Sequence, residues 1–249
     1  MSPHTPTCCT PPASHWPFSI ALPGAALFQT RFDPSRLSFD DFAACAIPAP
    51  AAIQRSVAKR QAEYLAGRLC ARTALEQVNG TLSAQQQGRS LPISSAPGLG
   101  EDRAPIWPAH VSGSITHSHG WAAAIVAPNT MWRGLGLDAE TLLDGPRAER
   151  LAGEILTPAE MQRLAQLPAA QQAQLVTLTF SIKESLFKAL YPLVLKRFYF
   201  EHAEVLDWSE SGQVRLRLLT DLSGEFHHGT EFVGQFNVDR GRILTLIHL

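Results

Sequence analysis

The sequence predicts an α+β fold of two similar subdomains, each a small antiparallel sheet packed with a long helix. Two long helical patterns lead there, one over residues 53–78 and one carrying Lys183, Glu184 and Lys188 and ending near Pro192. Short strand-like runs accompany each pattern, with turns marked by residues such as Ser118-His119-Gly120 and Arg240-Gly241. Helices and strands grouped in this way favour antiparallel sheets over an alternating parallel one. The predicted division is residues 1–131, of which 1–15 are extended, and residues 132–249; no clear sequence repeat relates the halves.

A chain of 249 residues can bury one large or two small cores. Hydrophobic residues at 45% and charged residues at 17% fit a globular protein. The formal net charge of -1 supplies no global field toward nucleic acid or an anionic membrane. No apolar run approaches the ~18 residues of a membrane span. The start of the chain has prolines at 3, 6, 11 and 12 and no basic stretch, unlike a secretory signal. Cys8, Cys9, Cys45 and Cys70 show no C-x-x-C spacing, which argues against zinc or a redox pair. The compartment expected is the reducing cytoplasm.

In chain order, residues 1–19 read as a proline-rich lead-in, and residues 18–32 as one or two strands broken at Pro23-Gly24. The helix over 53–78 is expected to stop at Asn79-Gly80, with Val57, Leu65, Leu69, Ala74 and Leu75 toward a core. Its cations Lys59, Arg60, Arg68 and Arg72 form either a solvated face or a binding one. Residues 81–100 read as a surface loop. Residues 111–117 and 121–127 read as a hairpin with His117 near its tip. His117-Ser118-His119 lacks a third soft ligand, so zinc is not expected. Thr157-Pro158-Ala159-Glu160 has the form of a capping box. Runs at 198–206, 214–220, 231–238 and 243–248 read as four further strands.

Two stretches carry chemistry. On a strand over residues 132–140, Gly136, Asp138 and Glu140 share one face and Leu135 and Leu137 the other. On the later helix, Ser181, Glu184, Ser185 and Lys188 fall at i, i+3, i+4 and i+7, while Ile182, Leu186, Ala189, Leu190 and Leu193 form an apolar stripe. The Glu–Lys face alone reads as an exposed pair worth a few tenths of a kcal/mol. Asp138, Glu140 and Glu184 together suit Mg²⁺, which takes one or two carboxylates and completes its shell with water and phosphate oxygens.

The ordered set Ser114-x-Thr116-His117, Gly136-Leu137-Asp138-Ala139-Glu140 and Phe180-x-x-Lys183-Glu184-Ser185-x-x-Lys188 resembles the Sfp-type 4′-phosphopantetheinyl transferases, in the branch like enterobactin synthetase component D. Residues 59–68, 100–108 and 196–201 extend the likeness, which covers roughly residues 16–248. The resemblance implies a monomeric pseudodimer with coenzyme A and Mg²⁺ between its halves. The implied reaction moves phosphopantetheine from coenzyme A to a serine of an apo acyl or peptidyl carrier protein, releasing adenosine 3′,5′-bisphosphate. Asp138, Glu140 and Glu184 match the family's metal acids; Glu184 is the expected base, with Asp138 acting through water as the competing assignment. Lys188 and His117 match coenzyme A phosphate contacts, Arg60 and Arg68 lie in the matching helix, Arg103 stands for a lysine and Thr116 for a serine. Leu142, Leu143 and Arg147, or the Leu195-Lys196-Arg197 turn, are candidate landing points for an acidic carrier. A catalytically silent coenzyme A- or carrier-binding protein of the same fold is the alternative. The motifs of an unrelated Mg²⁺ phosphohydrolase are missing from the sequence, G-x-x-x-x-G-K-[ST] among them.

Overall fold

A computed structural model describes residues 5–38, 40–85 and 96–249, with only the backbone of Gln85. It divides into two compact units: residues up to Trp16 with Leu22–Arg133, and Pro17–Ala21 with Gly134–Leu249. The α+β class holds, since each unit pairs an antiparallel sheet with one long helix.

The first unit contains β1 (Ala13–Ser14), β2 (Ala26–Arg31), short helices α1 (Asp41–Ala44) and α2 (Ala51–Gln54), and the long α3 (Ala58–Gln85). A small hairpin of β3 (Gly98–Leu99) and β4 (Pro105–Ile106) precedes β5 (Val111–Ser118) and β6 (Trp121–Pro128). The sheet order is β1-β2-β6-β5. As an inner strand, β6 is buried along its whole length, and small Ala122, Ala123 and Ala124 let a helix lie close. Gly67 of α3 meets the sheet closely, since a Cβ there would lie 2.8 Å from Ile115 Cγ2. The β5–β6 turn uses His119 and Gly120, both at positive φ (44° and 73°), which suits the right-handed twist of a two-residue hairpin.

Several sequence expectations change in this unit. The helix over 53–78 is two helices: the chain breaks after Gln54, and Val57 is 73% exposed rather than facing a core. Asn79-Gly80 does not stop α3. The Asn79 side chain is buried and bonded to His110 Nε2 at 2.8 Å, and Val78 and Leu82 pack into the core on either side, so tertiary packing overrides the local stop signal. Residues 81–85 are therefore helical, residues 98–99 form β3, and the part of the expected loop at 86–95 lies outside the described residues. Of residues 18–32 only Ala26–Arg31 is strand.

The second unit contains β7 (Leu135–Thr141), α4 (Gly145–Ile155), α5 (Pro158–Ala165), α6 (Ala169–Val194), β8 (Ala203–Trp208), β9 (Gln213–Leu218), β10 (Glu231–Asp239) and β11 (Arg242–His248). The sheet order is β7-β11-β10-β9-β8, antiparallel throughout. Ile182, Leu186, Ala189 and Leu190 of α6 pack with Val214, Leu216 and Ile247 of the sheet in one core. The capping box at the start of α5 is present, with Thr157 and Glu160 exchanging bonds. Helix α6 continues past Pro192 to Val194, and Leu193 is 37% exposed instead of completing the apolar stripe.

Gly136 sets how close β7 comes to α6. A Cβ at this position would lie 1.8 Å from the carbonyl oxygen of Ser185, which only a side chain of hydrogen avoids. The face carrying Gly136, Asp138 and Glu140 is thereby pressed toward the helix. Gly136→Ala is expected to cost about 3 kcal/mol, because backbone has to move on both elements; urea unfolding measures it.

Candidate active site

The site is built within the second unit, from β7 and α6. Register pairs Asp138 with Thr245 and Glu140 with Ile243 across β7 and β11. On α6 the expected polar stripe divides in two. Ser181 and Ser185 are fully buried and turned to Thr245, whereas Glu184 and Lys188 are only half-buried. A helix packed across a sheet buries more than one stripe, so small hydroxyls at its edge go inside once they find partners.

Those hydroxyls form a chain. Ser185 Oγ lies 2.7 Å from Thr245 Oγ1, Thr245 Oγ1 lies 2.9 Å from Ser181 Oγ, and Ser181 Oγ donates to Asp138 Oδ2 at 2.8 Å. Lys188 Nζ donates to the other oxygen, Asp138 Oδ1, at 2.6 Å and to Leu137 O at 3.2 Å. Asp138, 5% exposed, is thus held at both oxygens. The side chains of Glu140 and Glu184 differ, since among the described residues neither makes a hydrogen bond or ion pair.

Burial, then the charge of Asp138, pushes the Glu140 carboxyl up to about 7; Glu184 adds to this and Lys188 opposes it. Burial also raises Glu184, against Lys188 and with a smaller push from Asp138. The three acids therefore sense one another, and Lys188, with a smaller pull from Arg147 on Glu140, offsets them in part. Among the described residues no three Asp, Glu, His or Cys side chains close around a point as a preformed metal cluster. Lys188 holds the Asp138 oxygen in their place. The donor set fits a hard divalent cation, because two half-buried carboxylates without donors carry negative charge that such an ion relieves. Asp138, Glu140 and Glu184 are the residues that would hold it.

The Glu140 shift has a sign. Between its unfolded value of 4.5 and about 7 the folded chain keeps a proton that the unfolded chain has released. Stability is therefore expected to fall as pH rises through that window and to level off above it. Urea midpoints at about pH 5 and about pH 8, without divalent metal, test this. Glu140→Gln is expected to flatten most of the difference.

A second buried ion lies beside the acids. Lys183, 3% exposed, donates to Glu160 Oε2 at 2.7 Å, Ile155 O at 2.9 Å and Phe200 O at 3.0 Å. Glu160 also accepts from Thr157 N at 2.7 Å and Val205 N at 2.6 Å. One ion pair thus joins α4, α5, α6 and β8. A pocket of about 190 Å³ opens next to Glu184, walled by Phe187, Phe198, Tyr199 and Phe200 with Arg197 at its side.

The first unit holds the other predicted residues. Arg60 Nη1 lies 3.0 Å from His117 Nε2. Arginine only donates, so Nε2 accepts and the ring proton sits on Nδ1, 3.8 Å from Glu63 Oε2. Arg68 is buried, stacked 4.6 Å over Tyr64, and donates to Gly98 O at 3.0 Å, so it is no part of a solvated face. Arg72 is likewise buried and donates to Cys45 O. Thr116 is 3% exposed and, by strand alternation, faces away from His117. Arg103 is exposed at the tip of the β3–β4 hairpin with φ at 70°. The structure thus brings Arg60 and His117 together and separates Thr116 from them.

Sequence reading missed the hydroxyl chain through Ser181 and Thr245, and the pairing of Lys183 with Glu160. Lys183 had a signal: it interrupts the apolar row Val176, Phe187 and Leu190, and a lysine in such a row requires a buried acid.

Two family models match the chain: the 4′-phosphopantetheinyl transferase N-terminal domain over residues 49–127 and the 4′-phosphopantetheinyl transferase superfamily over residues 134–239. The chain is 36% identical over 171 residues to enterobactin synthase component D of Escherichia coli O157:H7, covering 69% of this chain and 73% of that protein. It is 34% identical over 235 residues to 4′-phosphopantetheinyl transferase Svp of Streptomyces mobaraensis, covering 91% and 86%. A crystal structure of Thermotoga maritima holo-[acyl-carrier-protein] synthase aligns at a TM-score of 0.37 and 22% identity, over 48% of this chain and 64% of that one. The matched family models and these named relatives define a group-transfer enzyme. The chain belongs to the 4′-phosphopantetheinyl transferase superfamily.

Proposed function

We propose that the protein transfers 4′-phosphopantetheine from coenzyme A to a serine of an apo carrier protein, with Mg²⁺ held by Asp138, Glu140 and Glu184. The observation that carries this reading is the trio of mutually repelling carboxylates, two of them without hydrogen-bond donors among the described residues, at the predicted positions. A bound divalent cation supplies charge neutralisation for the diphosphate and its leaving phosphate.

The chain's own residues do the rest. Lys188, now on Asp138, turns to a phosphate oxygen once the acids have another counterion. Arg60 and His117 take further phosphate contacts, and Arg103 joins them from its exposed turn. Arg68 positions α3's binding face through its stack on Tyr64. Glu184 removes the proton of the carrier serine; burial raises its carboxyl above the ordinary carboxylate range, which strengthens it as a base. The serine oxygen bonds to the phosphorus that bears pantetheine, the bond to the bridging oxygen breaks, and adenosine 3′,5′-bisphosphate leaves. Asp138 is a weaker candidate for base, because Ser181 holds one of its oxygens and the divalent cation would take the other. The aromatic pocket beside Glu184 takes the pantetheine arm.

Carriers of siderophore-type peptide synthetases are the first to try, given relatives that are named enterobactin synthase component D. The landing point is the Leu195-Lys196-Arg197 turn, where Leu195 is 76% exposed. Leu143, in contrast, packs into the core of α4 and α6. No helix among the described residues is long and apolar enough to cross a membrane. The test mixes protein, coenzyme A, Mg²⁺ and an apo carrier, and weighs the carrier by mass spectrometry. A phosphopantetheine increment that depends on both coenzyme A and Mg²⁺ is expected; an unchanged carrier mass with coenzyme A bound would reduce the protein to a binding module.

A further inference from the structure

The four cysteines of the chain come from separate segments yet gather in the first unit. Cys8 and Cys45, 3% and 2% exposed, belong to one core cluster with Tyr64 and Leu65, and Cys9 packs against it half-buried. Charge at Cys8, Cys70 and Cys45 acts on Cys9, so the four sulfurs lie within electrostatic reach. The Sγ atoms of Cys8 and Cys9 are 3.7 Å apart. The pair sits where the N-terminal arm is stitched down. Cys9 N donates to Pro6 O at 3.0 Å, closing a turn, and Asp33 N donates to Cys8 O at 2.9 Å. Cys9 also bridges to Phe32, and Thr7 N and Oγ1 both donate to Asp41.

We propose that Cys8 and Cys9 form a redox modification site, which a hydroperoxide converts to a reversible vicinal disulfide. One sulfur of the pair attacks a peroxide oxygen, the O–O bond breaks, and water leaves with a sulfenic acid formed. The neighbouring sulfur then attacks that sulfur, the S–O bond breaks, a second water leaves and the S–S bond closes. The pair gives up two electrons and two protons, and the peroxide takes both.

Two things favour this pair over the other thiols. Thiolates are the reactive form, and the Cys9 hydrogen bond holds the Cys8 thiol below its ordinary range, although burial and Asp41 oppose this. The same contact raises Cys9, so Cys8 is the sulfur that attacks the peroxide. Burial pushes Cys45 up to about 11 and raises Cys70 as well. The product is readily reversed. Adjacent Cα atoms stand about 3.8 Å apart, shorter than the usual ~4.4–6.8 Å of disulfides, so the bond is strained and easily reduced. Closing from 3.7 Å to about 2.05 Å also twists the peptide whose oxygen accepts from Asp33, loosening the arm from β2.

The test treats the reduced full-length protein with hydrogen peroxide, alkylates it and digests it with trypsin. No Lys or Arg precedes Arg31, so both sulfurs stay in peptide 1–31, while Cys45 and Cys70 fall in other peptides. Peptide 1–31 is expected to be lighter by about 2 mass units and unalkylated, at a rate at least about tenfold above any change at Cys45 or Cys70. Dithiothreitol should restore it. In Cys9→Ser, checked for folding by circular dichroism, a dimedone adduct at Cys8 should replace the disulfide. Full alkylation at both positions after peroxide, a cross-link to the Cys45 peptide, or direct over-oxidation to sulfinic acid would each overturn the proposal.

Discussion

Replacing Asp138 or Glu184 by alanine is expected to lower phosphopantetheine transfer by about 10²–10³-fold each, with the circular dichroism spectrum unchanged. The two losses have different origins. Without Asp138, Lys188 and Ser181 lose the acceptor that orients them at 2.6 and 2.8 Å, and the acid trio loses the member on which Lys188 is anchored. Without Glu184, the serine hydroxyl loses its base, so the rate should lose its dependence on that group's ionisation. Folding should persist in both. Lys188's side chain is 27% exposed and can turn to water, and Glu184 makes no hydrogen bond among the described residues that its loss would leave open. Near-wild-type rates in both variants, measured by carrier mass increase, would remove the site assignment.

Lys183→Met is expected to destabilise by about 3–5 kcal/mol, more than the loss at Gly136→Ala. The ammonium is enclosed, and its three acceptors lie on α4, α5 and the turn before β8. Removing it leaves the Glu160 carboxylate buried at 3% exposure with only backbone donors. Urea unfolding measures this. Lys183→Met with Glu160→Gln should recover part of the loss, because the remaining amide carries no charge. A cost below about 1 kcal/mol, as for an exposed pair, would mean that the ion pair is solvated.

Much of the fold was legible because periodicity is local. The strand face of Gly136, Asp138 and Glu140, the capping box at Thr157 and the last three strands follow from neighbouring residues, whereas the run expected from 198 becomes strand only at Ala203, after a helical turn at Phe200–His202. The Asn79-Gly80 stop failed because Asn79 is satisfied by His110, 31 positions away. The site was legible in its charged members, whose residue types are costly to place without a reason. Its hydroxyl chain was not, since Ser181 and Ser185 look the same on a wet face as on a dry one until Thr245 is known to lie opposite. Arg68 illustrates the converse: a cation on a helix reads as surface, and only Tyr64 and Gly98 O show it buried.

In the proposed site Asp138, Glu140 and Glu184 share one divalent ion. Calorimetric titration of Mg²⁺ or Mn²⁺ into the protein with coenzyme A present tests it without any carrier. One ion per chain is expected for the wild type, with binding lost in the variant carrying alanine at all three positions and restored by none of the single reversions alone. Equal metal affinity in the wild type and the triple variant would contradict it.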